Sequence, residues 1–482
     1  MLEPAPEATV RLVPLAMLLA TPSLARPPAG PPALEEVAAD LVGRALLSTE
    51  AWDELVVLCD DVGPRLASSP AMERAVAWAV AELEEDGLVG VRAEEVQVPE
   101  WERGEQRLQV LAPVERELQV LTLGRSVGTP PGGITAEVVV VDDFDHLEAL
   151  GDVVAGRIVL YDEPFTSYGQ AASYRNRGAR RAAALGAVGV LVRSPTPQSL
   201  ASPHTGGTWY EEDGPRIPAA AVTLEDAGLL RRWAERGLGP RVRLELGARS
   251  AGEATSANVL GEVPGRSRPD EIVVLGCHLD SWDVGQGAQD DGAGCVMVMA
   301  AAGLIAELPV APRRTLRVVL FTDEESGQSG ARAYQEAHRE ERHIAALECD
   351  LGAGEALGFR VDVRTPEERR EADLARAQEV LAPVVALLGR LDAGYLEPGW
   401  AGTDVKPLVE AGALGLGLHQ DTSGYWPVHH SEADTIDKID PNVLARDVAV
   451  VAVMAWALAE LPELSEWHSG PAAGSGIATP VP

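Results

Sequence analysis

Residues 276–294 read GCHLDSWDVGQGAQDDGAG, which sets His278 and Asp280 twelve and ten residues before Asp290. The segment is rich in glycine and poor in bulky apolar side chains. Further along, FTDEESG carries the adjacent Glu324 and Glu325, ECD ends at Asp350, and HHSEADT carries His429 and His430. Two histidines, two aspartates and one glutamate make a ligand set for a pair of divalent metals. One glutamate is then left over to move protons.

A dinuclear hydrolytic site needs about three protein ligands per metal, one carboxylate shared between them, and open positions for water. Asp290 is assigned the shared position. Glu325 and His430 would complete one metal, and His278 and Asp350 the other. Imidazoles and carboxylates suit zinc best, with manganese or cobalt able to substitute. Asp280, two residues past His278, is placed to accept the hydrogen of the non-ligating ring nitrogen. Adjacent glutamates cannot face one metal alike, so they divide roles. One binds, and the other serves as general base towards a metal-bridging water and then as acid towards the leaving amine. The chemistry so defined is metal-assisted hydrolysis of an amide. Spacing alone does not choose between His429 and His430.

The elements that must position these residues follow from apolar patterning. Continuous apolar runs at 272–275, 316–321 and 344–347 alternate with helical stretches predicted over 291–308 and 330–342, and a further strand is predicted over 413–418. This alternation predicts an α/β fold with a mixed, mostly parallel sheet flanked by helices. Ligands bind beyond the carboxyl ends of such strands, where His278, Glu324, Glu325 and Asp350 all fall. Nearer the N-terminus, Ser69-Pro70 opens a helix with Met72, Ala75, Val76, Ala79, Val80 and Leu83 at helical spacing, closed by Gly87. Between about residues 91 and 246 the pattern changes to short β-rich runs (138–141, 157–161, 188–192, 219–222) with one helix over 174–185. Much of this segment reads as an inserted domain. His146 and His204 are isolated there and read as loop or core histidines.

The 482 residues imply two or three domains. Against 40 basic residues stand 74 acidic ones, a formal charge of −34, which repels nucleic acid and anionic membrane. The charge also makes a strongly acidic substrate less natural. Arg11 precedes an apolar run at 12–20, and TPSLA at 21–25 offers a cleavage site after Ala25. This reads as a secretory signal over 1–25, though Glu3 and Glu7 are atypical for one, and it predicts an extracellular or periplasmic protein. The apolar run 448–459 is too short to span a bilayer and reads as a buried helix after Pro441. Four cysteines are too few and too scattered for a disulfide framework. Cys277 and Cys349, each beside a proposed ligand, read as small buried hydrophobes.

At these residues the chain resembles the co-catalytic zinc peptidases, the family of zinc aminopeptidases and glutamate carboxypeptidases. The motifs that carry the resemblance are HLDSWDVGQGAQDDG, TxEE in TDEESG, and HHSxxDT in HHSEADT. GPRL (63–66), WERGE (101–105), GTPPGGITAEV (128–138) and SPHTG (202–206) extend it over most of the chain. The resemblance implies two zinc ions held by His278, Asp290, Glu325, Asp350 and His430, and it chooses His430 over His429. It makes Glu324 the catalytic acid/base and implies a cis Asp290–Asp291 peptide. It further implies a peptidase domain over 26–110 and 253–465, an inserted protease-associated domain over 111–252, and a homodimer. Asp323 and Cys277 are departures that could retune the site. Asp404, Ser423 and Tyr425 are pocket candidates, and 466–482 matches nothing and reads as a disordered tail.

The expectation is a secreted di-zinc exopeptidase acting on dipeptides or short peptides, with amino- and carboxypeptidase action both open. Two rival readings are a glutaminyl cyclase-like acyltransferase and a non-catalytic binding protein on the same fold. The complete ligand set argues against both.

Overall fold

The apolar runs become neighbouring strands of one sheet in the computed structural model, which describes residues 33–467. The expected signal sequence and residues 468–482 of the expected tail lie outside the described residues. Trp467 is still packed against the core.

The first sheet has eight strands. Its order is Val89–Glu102, Arg249–Val263, Arg314–Phe321, Arg268–His278, Arg342–Glu348, Leu414–Gln420, Ala356–Asp362 and Tyr395–Pro398. The four strands in the middle, from Arg314–Phe321 to Leu414–Gln420, run parallel to one another, and antiparallel pairs flank them. Parallel strands are buried on both faces, which is why the run IVVLGC between Glu271 and His278 is apolar throughout, and all eight residues are buried.

One side of the sheet is covered by the helices Ala293–Ala306 and Pro441–Glu460. The first, AGCVMVMAAAGLIA, is apolar all round and so must be buried all round. The second is, among the described residues, the one helix long and apolar enough to cross a membrane, but it is mostly buried inside the protein as a core helix. Helix Pro70–Glu85 forms as its sequence predicts. Met72, Ala75, Ala79 and Leu83 are its buried stripe, and the Ser69 hydroxyl accepts from the Met72 N–H at 3.2 Å. Gly87, at φ +79°, supplies the left-handed turn that ends it. Ser69→Ala removes the cap and is expected to cost about 1 kcal/mol, read as a lower denaturation midpoint at unchanged slope.

Two helix ends differ from the sequence reading. The helix predicted over 330–342 stops at Ala337, because the chain turns at His338–Glu341 and re-enters the sheet at Arg342. The helix predicted from 291 begins at Ala293, because Asp290 and Asp291 have non-helical backbone angles.

The second sheet draws its strands from Gln106 to Leu246. Its order is Arg116–Leu118, Gln106–Ala112, Arg241–Leu246, Ile134–Val141, Ile158–Tyr161, Gly189–Arg193, Ala219–Val222 and Val120–Thr122. Ile134–Val141 to Ala219–Val222 run parallel, and parallel neighbours need crossovers. Helix Phe144–Leu150 and helix Tyr168–Ala184 supply two of them, capped by Asp143 and Ser167. Helix Leu224–Glu235, capped by Thr223 and with Ala227, Leu230 and Trp233 buried on one side, instead leads from Ala219–Val222 to the antiparallel strand Arg241–Leu246; it is absent from the sequence reading.

Candidate metal centre

Four loops leave the carboxyl ends of the central parallel strands and meet at one point. His278 is the last residue of its strand, Glu324 and Glu325 follow Phe321, and Asp350 follows Glu348. Asp290 and His430 come from longer loops. His278 Nε2 faces Asp290 Oδ1 at 3.2 Å and Asp350 Oδ1 at 3.4 Å. His430 Nε2 lies 3.0 Å from both Asp290 Oδ2 and Glu325 Oε2. Asp290 thus turns one carboxylate oxygen to each histidine, the arrangement a shared ligand requires.

Two overlapping groups have donor atoms mutually within 4.8 Å. One is His278, Asp290 and Asp350, and the other is Asp290, His429 and His430. The rings of His429 and His430 stack at 3.6 Å, and His429 Nε2 is 3.4 Å from Asp290 Oδ2. The pairing recorded for Glu325 is with His430.

Asp280 meets His278 through its main chain and not through the carboxylate expected from sequence. His278 Nδ1 donates to the main-chain carbonyl of Asp280 at 2.9 Å, while the Asp280 carboxylate stands 3.7 Å away. That carboxylate instead accepts from the Glu324 N–H at 3.1 Å. Asp280 follows directly on the strand end, so its carbonyl folds back on the ring and its side chain reaches the next loop. The tautomer is still set, by a different oxygen.

Burial raises Glu325 and Asp350 above the usual carboxylate range. It raises Glu324 well above that range, with Asp350, Glu325 and Asp280 adding to the effect. Burial acts on Asp290 in the same sense, yet His429, His278 and His430 hold it well below. Glu325 Oε1 and Asp280 Oδ2 are buried without hydrogen-bond partners. So many converging carboxylates, with orphaned oxygens and imidazole nitrogens among them, need cations, and the nitrogen–oxygen donor set fits zinc.

The loop that carries Asp290 is built by residues the sequence reading passed over. Arg65, in GPRL, is fully buried. Its guanidinium donates to the carbonyls of Leu279 (2.5 Å), Gln286 (2.8 Å) and Gly287 (3.0 Å), and its own N–H donates to Ser281 Oγ. The Asp434 carboxylate accepts from the N–H groups of Gln289 and Asp290 at 2.7 and 3.2 Å. Asp291 accepts from the N–H groups of His278 and Gly294, and the Asp290–Asp291 peptide is cis. Arg65 lies in GPRL and Asp434 in HHSEADT, two motifs that already mark this loop's surroundings in the sequence.

The inserted segment holds His430. The Thr205 N–H donates to the His430 carbonyl at 2.9 Å, and the Thr205 carbonyl lies 3.3 Å from His430 Nδ1. Arg175 donates to the same Thr205 carbonyl at 2.8 Å. His204, read as a loop or core histidine, is a core residue 2.6 Å from the His429 carbonyl, and burial pushes it down to about 4. His146 is half-buried beside Asp142.

A cavity of about 490 Å³ opens over the centre, with Glu324 in its wall. The inserted segment contributes Tyr168, Arg175, Asn176 and Trp209 to it, which local pattern did not reveal. Of the three pocket candidates only Tyr425 lines it. Asp404 is buried behind the wall with both carboxylate oxygens unpartnered, and Ser423 is exposed in a turn. Asp323 accepts from Ser326 Oγ and the Ser329 N–H, so it shapes the turn into the next helix. All four cysteines are buried and free; Cys277 and Cys349 belong to neither donor group.

The family model described as Peptidase family M28 matches residues 258–455, and that of the PA domain matches 134–230. Carboxypeptidase Q of Xenopus laevis is 40% identical over 429 residues, covering 88% of this chain and 89% of the relative. The crystal structure of a Peptidase M28 precursor from Shewanella amazonensis SB2B superposes with a TM-score of 0.83 at 38% identity, covering 89% of this chain and 97% of that one. A zinc aminopeptidase from Bacillus subtilis shares the fold, with a TM-score of 0.61 at 21% identity, over 84% and 94% of the two chains. The chain belongs to peptidase family M28, with a PA domain set into it, and is a zinc metallopeptidase.

Proposed function

We propose that this protein is a secreted exopeptidase that hydrolyses dipeptides or short peptides with two zinc ions and no nucleic-acid or membrane partner. His278, Asp290 and Asp350 would hold one ion; Asp290, Glu325 and His430 would hold the other. The observation that carries this reading is Asp290, with one oxygen towards each of two histidines. When bound, the zinc pair lowers the pKa of water and polarises the scissile carbonyl.

The chain's own groups do the rest. Glu324 stands in the cavity wall with its N–H fixed by Asp280, and its carboxyl is poised above the usual range by burial. It takes a proton from the attacking water and returns one to the departing amine. Tyr168, Trp209, Tyr425 and Trp426 give the cavity aromatic walls for a side chain, while Arg175 and Arg360 offer positive charge to a carboxylate.

Removing metal with a strong chelator is expected to abolish peptide hydrolysis, and adding zinc to restore it, with two zinc ions per chain at full activity. A dipeptide panel with free and blocked termini reads which end is recognised. If the zinc-replete protein cleaves no member of it, the exopeptidase reading fails. Cyclisation of peptides with N-terminal glutamine, in place of hydrolysis, would favour the acyltransferase. Export rests on the segment 1–25, tested by the N-terminus of the exported protein, and light scattering tests the proposed homodimer.

A further inference from the structure

Outside the metal centre, a second group of carboxylates has no cation to answer it. Glu50 and Glu54 lie one turn apart on the helix Glu50–Val56, and Asp86 follows the helix Pro70–Glu85. One oxygen from each of the three lies within 4.8 Å of the other two. They line a surface cavity with Asp53, Glu82 and Glu85. Among the described residues no basic side chain pairs with Glu54 or Asp86. Arg44 is held by Asp40 at 3.1 Å and Glu307 at 3.2 Å.

Acidic clusters are common on a chain of this charge, but they normally keep their carboxylates in water. Glu54 is only 6% exposed, and its Oε2 is buried without a hydrogen-bond partner, as is Oδ2 of Asp86. Burial, reinforced by Asp86, Glu50, Glu82 and Glu85, pushes Glu54 up to about 9. Burial and neighbouring acids also push Asp86 up to about 7. A buried carboxylate in a wall of carboxylates is costly unless a proton or a metal ion joins it. Three carboxylates offer up to six oxygens and no nitrogen or sulfur, the donor chemistry of a hard cation. An irregular site, open to water on one side, suits calcium better than the strictly octahedral magnesium.

We propose that Glu50, Glu54 and Asp86 form a structural calcium site, its shell completed by water. The ion fastens the helix Glu50–Val56 to the end of Pro70–Glu85. Asp86 also packs on Gly303, where an added Cβ would meet it at 3.3 Å. Gly303 belongs to Ala293–Ala306, the helix that starts just past the Asp290 loop. Calcium therefore strengthens the layer behind the catalytic metals without entering the reaction.

The test uses the full, zinc-loaded chain, so that the catalytic ligands are already filled. Terbium is titrated with excitation of Trp52 and Trp78, which lie on the same two helices. The expected result is sensitised emission that calcium displaces at least about tenfold better than magnesium. Calcium at a hundredfold excess over its Kd should raise Tm by about 3 °C or more. Glu54→Gln removes the buried charge. It should raise the calcium-free Tm and abolish both the calcium shift and the terbium signal. Asp86→Asn should weaken calcium at least about tenfold. Zinc content and peptidase activity should stay unchanged in both variants. Absence of a calcium shift up to about 10 mM, beyond the weakest extracellular calcium modules, overturns the proposal, as does a shift that persists in Glu54→Gln. A more stable Glu54→Gln together with no calcium response in the unsubstituted chain would identify a protonated acid group and also defeat the proposal.

Discussion

Glu324→Gln is expected to retain both zinc ions and bind substrate with little change in KM, yet lose about 10²–10⁴-fold in kcat. The amide keeps the shape of the side chain and the N–H bond to Asp280, but it cannot take up a proton. None of the donor–donor distances at the centre involves Glu324, so the metals should stay. The adjacent Glu325 behaves differently. Glu325→Gln removes a group 3.0 Å from His430 Nε2 and should lower zinc content together with rate. Zinc per chain and kcat, measured on both variants, separate the two roles. Near-normal turnover in Glu324→Gln would remove it from the reaction.

The second large effect is expected at Arg65. Arg65→Met keeps the length and apolar stem but deletes the donors to Leu279, Gln286 and Gly287. These three carbonyls lie in a buried loop whose glycines leave no side chain to replace the lost donors. A hydrogen bond from a charged donor contributes about 1.5–3 kcal/mol, and a buried carbonyl left without a donor costs about 1–3 kcal/mol. Three bonds from one group do not simply add, so a loss of roughly 3 kcal/mol or more is expected. Such a loss takes a large part of an ordinary folding margin of about 5–15 kcal/mol. It should also lower zinc affinity, since the loop leads straight into Asp290. Arg65→Lys should rescue only partly, because a single ammonium cannot reach three carbonyls in the planar fork that guanidinium provides. Denaturation midpoints and zinc stoichiometry on the three proteins check this.

What could be read from the sequence divides along a physical line. The strands 272–275, 316–321 and 344–347 were legible because a parallel strand buried on both faces must be apolar throughout, and a polar residue just past such a run stands out. His278, Glu324, Glu325 and Asp350, picked out first by residue type and spacing, fall just past these runs, which supported them independently. Arg65 was not, because one arginine after a Gly-Pro pair has no period to betray it, and its partners lie over two hundred residues on. Asp280 shows another limit: spacing brought the right residue to His278 but could not tell its carbonyl from its carboxylate. Helix Leu224–Glu235 was missed because its stripe is only three residues long, set among arginines and glutamates. Tyr168, Arg175 and Trp209 reach the cavity by tertiary contact alone, and no local pattern encodes that.

The contact between Thr205 and His430 has a consequence for the protein's modularity. An insertion is usually pictured as a passenger, free to be trimmed or exchanged so long as its two ends stay close. Here the passenger grips the main chain of a residue at the heart of the reaction, and its neighbour His204 grips the residue before. Excising the inserted segment would not yield a smaller peptidase with a wider mouth. It would release one side of the cage, so the two folding units have to be inherited, engineered and unfolded as one.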